Sequence, residues 1–131
     1  MNHQETAAGL AQTADYQYAQ HIGQQLFVAG QVPHNSAANL VGIDNPQAQT
    51  VQCLTNLRKL IHLHGFREED IRHLTIYVAG NHQQLAEAWN AVAEWFDHNV
   101  PPATLLGVAC LGYENQLVEV DATIIRQAHS I

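Results

Sequence analysis

Apolar and polar residues alternate along the chain with two different periods, and each change of period marks a new element. Residues 16–22 favour a strand, residues 23–25 can turn, and residues 26–29 form a short apolar run that ends at Gly30. This pattern predicts an opening β-hairpin. Residues 33–44 have the Asn, Ser, Gly and Pro content of a loop.

Two segments carry apolar residues at helical spacing. Asn45 can cap the first, Pro46 suits its first position, and Gly65 suits the left-handed conformation that follows a helix C-terminus. Asn81 can cap the second, in which the apolar residues fall on one stripe until residues 99–102 (NVPP) stop it. We therefore predict two helices, each with its own cap.

Three further segments have the pattern of strands. Residues 74–78 alternate strictly, and residues 104–111 and 117–126 are rich in β-branched and aliphatic side chains. Residues 112–115 (GYEN) separate the last two and predict a hairpin turn. The order ββαβαββ indicates an α+β fold with two helices on one face of a mixed sheet. We expect the other face to be apolar and covered by oligomerisation.

Composition and charge narrow the class of protein. Charged residues make up 13% of the chain, against roughly 25% in an average soluble protein, which favours subunit contacts. A net charge of −7 with five Lys and Arg residues argues against a nucleic-acid partner. We expect no membrane partner either, because no apolar run approaches the roughly 20 residues that cross a bilayer.

We predict a single domain over residues 15–131, preceded by a flexible N-terminal segment over residues 1–14. That segment is polar and lacks the pattern of a signal peptide. The two cysteines lack CxxC spacing, which indicates a reducing compartment, and we expect the cytoplasm. The nine histidines are scattered over separate elements, so we predict neither a metal site nor a cofactor.

Five short segments fall in a fixed order over residues 16–126. They are residues 26–33 (LFVAGQVP), Gln49-Thr50 with Asn56-Leu57, residues 65–78, Trp95-Phe96 with Pro102-Ala103-Thr104, and residues 118–122 (VEVDA). In order and spacing this set resembles the Rid (YjgF) family. The resemblance implies a chorismate-mutase-like fold and a homotrimer around a central barrel, with a small-molecule ligand in a cleft at each of three subunit interfaces.

The resemblance also implies an activity, the hydrolysis of reactive 2-imino or enamino acids to a keto acid and ammonia. In the catalytic branch an arginine two residues after a proline pairs with the substrate carboxylate, and here that position, after Ala103, is Thr104. An arginine binds a carboxylate through two charge-assisted hydrogen bonds, so its loss would weaken recognition on the order of a hundredfold or more. Thr104 is equally well an ordinary β-branched residue at the start of a strand.

Glu119 matches the family glutamate that positions the attacking water, and strand alternation places it on one face with Asp121. For Glu119 a catalytic and a structural role weigh about equally, whereas Asp121 fits a solvated or subunit-pairing residue better. Tyr16 and Asn90 match substrate-contacting positions, although an amphipathic strand and a solvated helix explain them as well.

The backbone of Gly30 and Gln31 is expected to supply amide donors to a bound carboxylate or carbonyl. Gly30 would in any case be suited to the end of a strand. Two functions from different classes remain open. The first is hydrolysis of a carbon–nitrogen bond in a non-standard substrate, and the alternative is a non-catalytic metabolite sensor or protein-binding trimer. A ribonuclease ranks last, because the chain is acidic and lacks a basic groove.

Overall fold

The computed structural model describes residues 3–12 and 15–128. The strands are β1 (Ala19–Ile22), β2 (Gln25–Val28), β3 (Ile71–Val78), β4 (Ala103–Gly107) and β5 (Val118–Ile125). The helices are α1 (His3–Ala7), α2 (Pro46–Leu63) and α3 (His82–Trp95). The five strands form one mixed sheet in the order β1-β2-β5-β3-β4, in which only the β3–β4 pair is parallel. The predicted α+β class is therefore confirmed.

The last two strands do not form the predicted hairpin. Strand β4 runs parallel to β3 at the sheet edge, whereas β5 lies between β2 and β3 and is antiparallel to both. Residues 108–117 therefore cross from one side of β3 to the other. The physical reason is burial: Val118, Val120 and Ile124 are fully buried, which suits a central strand, while β4 has the exposed side chains of an edge strand.

Helices α2 and α3 pack on one face of the sheet, as predicted. Every second side chain of β3 and β5 is buried against them. The core contains Leu54, Leu57 and Ile61 of α2, Ala88 and Val92 of α3, and Leu74, Ile76 and Val78 of β3. This alternation fixes which strand residues remain on the opposite face.

The opposite face, called the open face below, was expected to be apolar, and this is wrong in part. The strand register places two rows of side chains across it: Leu106, Tyr77 and Glu119 in one row, and Thr104, Thr75 and Asp121 in the next. Leu106, in the first row, is a large exposed apolar side chain, and Phe27 and Ile125 add two more on the same face. Polar and apolar groups are therefore mixed there, because β5 carries acids at alternate positions.

Residues 3–12 pack against the domain, although their polar composition predicted a flexible segment. Leu10 is 1% exposed and lies in a small apolar cluster with Tyr18 and Leu60 of α2. The Tyr18 hydroxyl also donates a hydrogen bond to Ala11 O at 2.7 Å. Residues 1, 2, 13 and 14 of the predicted segment lie outside the described residues. Within the described ranges, no helix is long and apolar enough to span a membrane.

Candidate functional site

Glu119 lies half-buried on the open face near the start of β5, and its carboxylate packs directly on Gly30. A Cβ built at residue 30 would lie 2.9 Å from Glu119 Cδ and still closer to Oε2, so a side chain there would displace the carboxylate. Gln116 Nε2 donates a hydrogen bond to Glu119 Oε1 at 3.3 Å. A glycine and an amide therefore hold the carboxylate in place.

The backbone pairing beyond β2 determines what Gln31 can do. The Gln31 N–H donates to Val120 O at 2.7 Å, and the Val120 N–H donates to Gln31 O at 3.0 Å. The Gln31 side chain consequently points to the helical side, where it is 1% exposed and donates to Ala29 O at 2.8 Å. The expected donor of Gln31 is thus already engaged, which leaves the Gly30 N–H as the candidate backbone donor to a ligand.

Tyr16 lies near Glu119 and is paired with a second tyrosine. Tyr16, in the segment before β1, hydrogen-bonds to Tyr113 in the connection between β4 and β5. Burial, then Tyr113, and further the nearby Tyr18 and Glu119 raise the pKa of the Tyr16 phenol. Tyr16 therefore remains protonated at neutral pH and can donate a hydrogen bond to a ligand.

Tyr113 and Gln116 could not be named from sequence, because residues 112–115 predict a short hairpin turn. In the structure the connection runs over the ten residues 108–117, longer than the usual hairpin loop of two to five residues. The strand-like composition of residues 104–111 hides this length in the sequence. Long connections that are anchored on a scaffold often carry functional side chains.

Gln49 of α2 holds the connection that carries Tyr113 and Gln116. Its side chain is fully buried, and its oxygen and its nitrogen each make two hydrogen bonds. The oxygen accepts from Leu117 N at 2.7 Å and Val118 N at 3.2 Å, and the nitrogen donates to Gly42 O at 3.0 Å and Asn115 O at 3.1 Å. A helix residue distant in sequence therefore sets where the neighbours of Glu119 lie.

The other predicted site residues lie elsewhere in the chain. Thr104 is exposed on the open face, with its Oγ1 3.2 Å from His73 Nε2. Strand β3 lies between β4 and β5, and Thr104 is one row away from Glu119, so the two residues are at least about 10 Å apart. Ala103 is half-buried against the core, and Asn90 is exposed on α3, which packs on the opposite face. Within one chain, none of these three joins Glu119.

A cavity of about 630 Å³ opens beside Tyr16. Its lining consists of Ala11, Gln12, Tyr16, Tyr18, Val32, His34, Ala38, Asn39, Leu40, Tyr113 and Glu114. Tyr16 lines this cavity and also lies near Glu119, so a ligand that contacts Tyr16 would approach the carboxylate. Among the residues that the structure describes, no three His, Cys, Asp or Glu side chains are placed to hold a metal ion.

The contact between Gly30 and Glu119 gives a test of the site. The Gly30→Ala substitution should lower activity at least about tenfold, since the new methyl group displaces the carboxylate. It should change the free energy of unfolding by less than about 1 kcal/mol, because the displaced atoms end a flexible side chain. The control is Gly112→Ala, where an added Cβ meets nothing within 4 Å. Equal activity of the two variants, compared in one assay, would show that the contact is irrelevant.

The fold and the site together define a class of small α+β domains, with two helices on one face of a mixed sheet and a glutamate packed on a glycine on the other. The profile of the family described as Endoribonuclease L-PSP matches residues 6–126, nearly the whole chain. The chain belongs to this family, which also bears the names Rid and YjgF.

Three similar proteins illustrate the range of the family. A RutC family protein of Pyrococcus horikoshii is 25% identical over 112 residues, which cover 86% of this chain and 87% of the relative. The structure of Escherichia coli TdcF with bound serine has a TM-score of 0.79 and 21% identity, and covers 89% of this chain and 92% of that one. The Rid family protein YyfA of Yersinia pestis has a TM-score of 0.78 and 24% identity, with 88% and 90% covered. The chorismate-mutase-like fold is thereby confirmed.

Proposed function

We propose that this protein binds a small metabolite beside Glu119 and hydrolyses an imine, an enamine or a related carbon–nitrogen bond. The observation that carries this proposal is the environment of the Glu119 carboxylate, which lies on Gly30, accepts a hydrogen bond from Gln116 and has the protonated Tyr16 nearby. A carboxylate held in this way, next to a phenol donor and an open cavity, has the parts that general base catalysis requires.

The proposed reaction needs only water as a co-substrate. Glu119 removes a proton from the water while the water oxygen attacks the carbon of the protonated imine, which gives a neutral carbinolamine. The proton then passes from Glu119 to the nitrogen. As the carbon–nitrogen bond breaks and the carbonyl forms, Glu119 takes up the hydroxyl proton and then gives it to the departing ammonia. In this proposal Tyr16 and the Gly30 N–H donate hydrogen bonds to the reacting group, which is supported by the proximity of both residues to Glu119.

We propose that the working form is a homotrimer with the ligand cleft between subunits. In one chain the Thr104 side chain lies on the open face at least about 10 Å from Glu119, so a second copy is needed to bring a Thr104 beside it. The exposed Phe27, Leu106 and Ile125 give that face apolar area to bury. Analytical ultracentrifugation should give three times the monomer mass. A reducing cytoplasm suits the free Cys53 and Cys110.

Recognition of the proposed substrate does not depend on a carboxylate, because Thr104 occupies the position that corresponds to the arginine of the catalytic relatives. TdcF was solved with serine, which indicates that an amino-acid-sized ligand fits a related protein. We therefore propose that the reactive group is of similar size but is recognised through other contacts. Without the arginine, efficient hydrolysis of 2-iminoacids is not expected.

Installing the missing arginine should test this directly. The Thr104→Arg variant should raise kcat/KM on imines of carboxylate-bearing amino acids by about tenfold to a hundredfold, through a charge-assisted pair. For imines without a carboxylate, kcat/KM of the variant should stay within about threefold of the parent value. The assay is ammonia release from 2-imino acids made by an amino-acid oxidase and from carboxylate-free imines made by an amine oxidase.

The matched control for that experiment is Thr123→Arg, which adds the same charge to an exposed position of the open face on β5. If both arginine variants raise activity equally, the effect is one of overall charge and Thr104 has no special position. If the parent already hydrolyses 2-imino acids as fast as its arginine-bearing relatives, the inference from Thr104 is wrong.

A second candidate function, a non-catalytic metabolite sensor, is favoured by the same loss of the arginine. It predicts ligand binding with no ammonia release above the spontaneous rate, and no effect of Glu119→Gln on binding. Hydrolysis by the parent protein excludes it. Ribonuclease activity is not proposed, because a net charge of −7 repels a phosphate backbone.

A further inference from the structure

We infer that the cavity beside Tyr16 binds the ammonium or substituted ammonium group of an organic cation. The inference deepens the proposed function and rests on it in one respect, namely that the bound cation would present its reactive bond to Glu119. The cavity measures about 630 Å³, within the usual range of small-molecule sites. The rings and the charges of its lining favour a cationic ligand.

Four rings line the cavity: Tyr16, Tyr18, Tyr113 and His34. The centroids of His34 and Tyr113 are 4.6 Å apart and the rings are inclined by 74°, so the edge of one ring packs against the face of the other. Tyrosine faces attract cations through the ring quadrupole, and several aromatic faces around one cavity are how proteins recognise substituted ammonium groups. Leu40, Val32 and two alanines supply apolar contacts for alkyl substituents.

Tyr16, Tyr18 and His34 of the lining are uncharged at neutral pH. Burial raises the pKa of Tyr18 to about 12, and burial together with Tyr113 raises the pKa of Tyr16 further. Burial lowers the pKa of His34, so its imidazole is neutral and does not repel a cation. The cavity therefore offers neutral aromatic faces.

The charges around the cavity have one sign. Glu114 is the charged side chain of the lining, and Glu119 lies next to Tyr16. The lining contains none of the five Lys and Arg residues of the chain, whose net charge is −7. A carboxylate ligand would therefore find no cationic partner here, whereas an ammonium group would meet a carboxylate and several rings.

The experiment compares choline with 3,3-dimethylbutan-1-ol, which has the same shape but a carbon in place of the charged nitrogen. Isothermal titration with the full-length protein should give a Kd for choline at least about tenfold lower than that for the neutral alcohol. Acetate should bind more weakly than choline. Equal affinity for choline and its neutral analogue, or tighter binding of acetate, would overturn the inference.

Three variants separate ring, hydroxyl and charge. Tyr113→Leu removes a ring and should weaken choline binding at least about fivefold, while Tyr113→Phe keeps the ring and should stay within about twofold. Glu114→Gln, at an exposed position, should weaken binding about threefold or more, whereas Glu69→Gln removes the same charge far from the lining and should not. Unchanged binding in both Tyr113→Leu and Glu114→Gln would overturn the inference, and thermal unfolding of each variant verifies that it is folded.

This experiment can succeed or fail independently of the proposed hydrolysis, because choline binding is measured without turnover. If choline binds as expected and Glu119→Gln hydrolyses imines like the parent, the cation site stands and the hydrolase proposal fails. If Glu119→Gln abolishes hydrolysis and choline binds no better than its neutral analogue, the hydrolase stands and the cation site fails.

Discussion

Replacement of Glu119 by glutamine is expected to lower kcat for imine hydrolysis by about a hundredfold to ten-thousandfold, the range typical for loss of a general base. Glutamine has nearly the same shape and can still bond to Gln116, so the packing against Gly30 should persist. KM should therefore change little, since the residue acts on the water and not on the ligand. Steady-state ammonia release, measured with circular dichroism of the same preparation, gives both quantities.

The control for this prediction is Asp121→Asn, because Asp121 is the second acid on the same face of β5. Its carboxylate accepts a hydrogen bond from Ala122 N at 2.8 Å and is one row away from Glu119. The variant should retain activity within about threefold. A loss as large as that of Glu119→Gln would mean that the general charge of the strand matters and that Glu119 has no specific role.

The second large effect is expected at Gln49, where Gln49→Leu should lower the free energy of unfolding by on the order of 3–5 kcal/mol. Leucine fills a similar volume but breaks four hydrogen bonds to backbone groups, and several of these groups would remain buried without a partner. Urea denaturation measures the change. Activity should fall as well, since the connection with Tyr113 and Gln116 loses its anchor.

Gln83→Leu is the matched control for Gln49→Leu. Gln83 is exposed on α3, and its side chain donates one hydrogen bond to Glu87. This substitution should change the free energy of unfolding by less than about 0.5 kcal/mol. A loss below about 1 kcal/mol for Gln49→Leu would show that water replaces the broken bonds and that the network does not hold the connection.

Helices α2 and α3 could be predicted from sequence because their end signals are local, whereas α1 lies in the segment that was expected to be flexible. The Asn45 side chain accepts a hydrogen bond from Ala48 N, and Asn81 accepts one from Gln84 N, as expected of N-caps. Gly65 adopts a φ of 80° directly after α2, as expected of a residue in the left-handed conformation. A few neighbouring residues suffice to make each of these features.

The arrangement of the last two strands could not be predicted in the same way. Residues 104–111 and 117–126 have similar strand-forming compositions, so nothing local shows that one lies at an edge and the other at the centre. That choice depends on how well each strand packs between distant partners, with β5 contacting both β2 and β3. The hairpin rule failed because it treats neighbours in sequence as neighbours in the sheet.

Part of the candidate site could be predicted from the sequence, and part could not. Glu119, Gly30 and Tyr16 could each be named from short motifs, and the structure brings these three together. Tyr113 and Gln116 could not be named, because their positions follow from the long-range hydrogen bonds of a buried glutamine. Thr104 lies on the open face at least about 10 Å from Glu119, and its role depends on contacts between chains.

The most direct measurement of the central claim compares the parent protein, Gly30→Ala and Glu119→Gln in one assay of imine loss and ammonia release. The account predicts that the parent exceeds the spontaneous rate, that Gly30→Ala is at least about tenfold slower than the parent, and that Glu119→Gln is the slowest. Three equal rates, or a parent that does not exceed the spontaneous reaction with any imine, would contradict it.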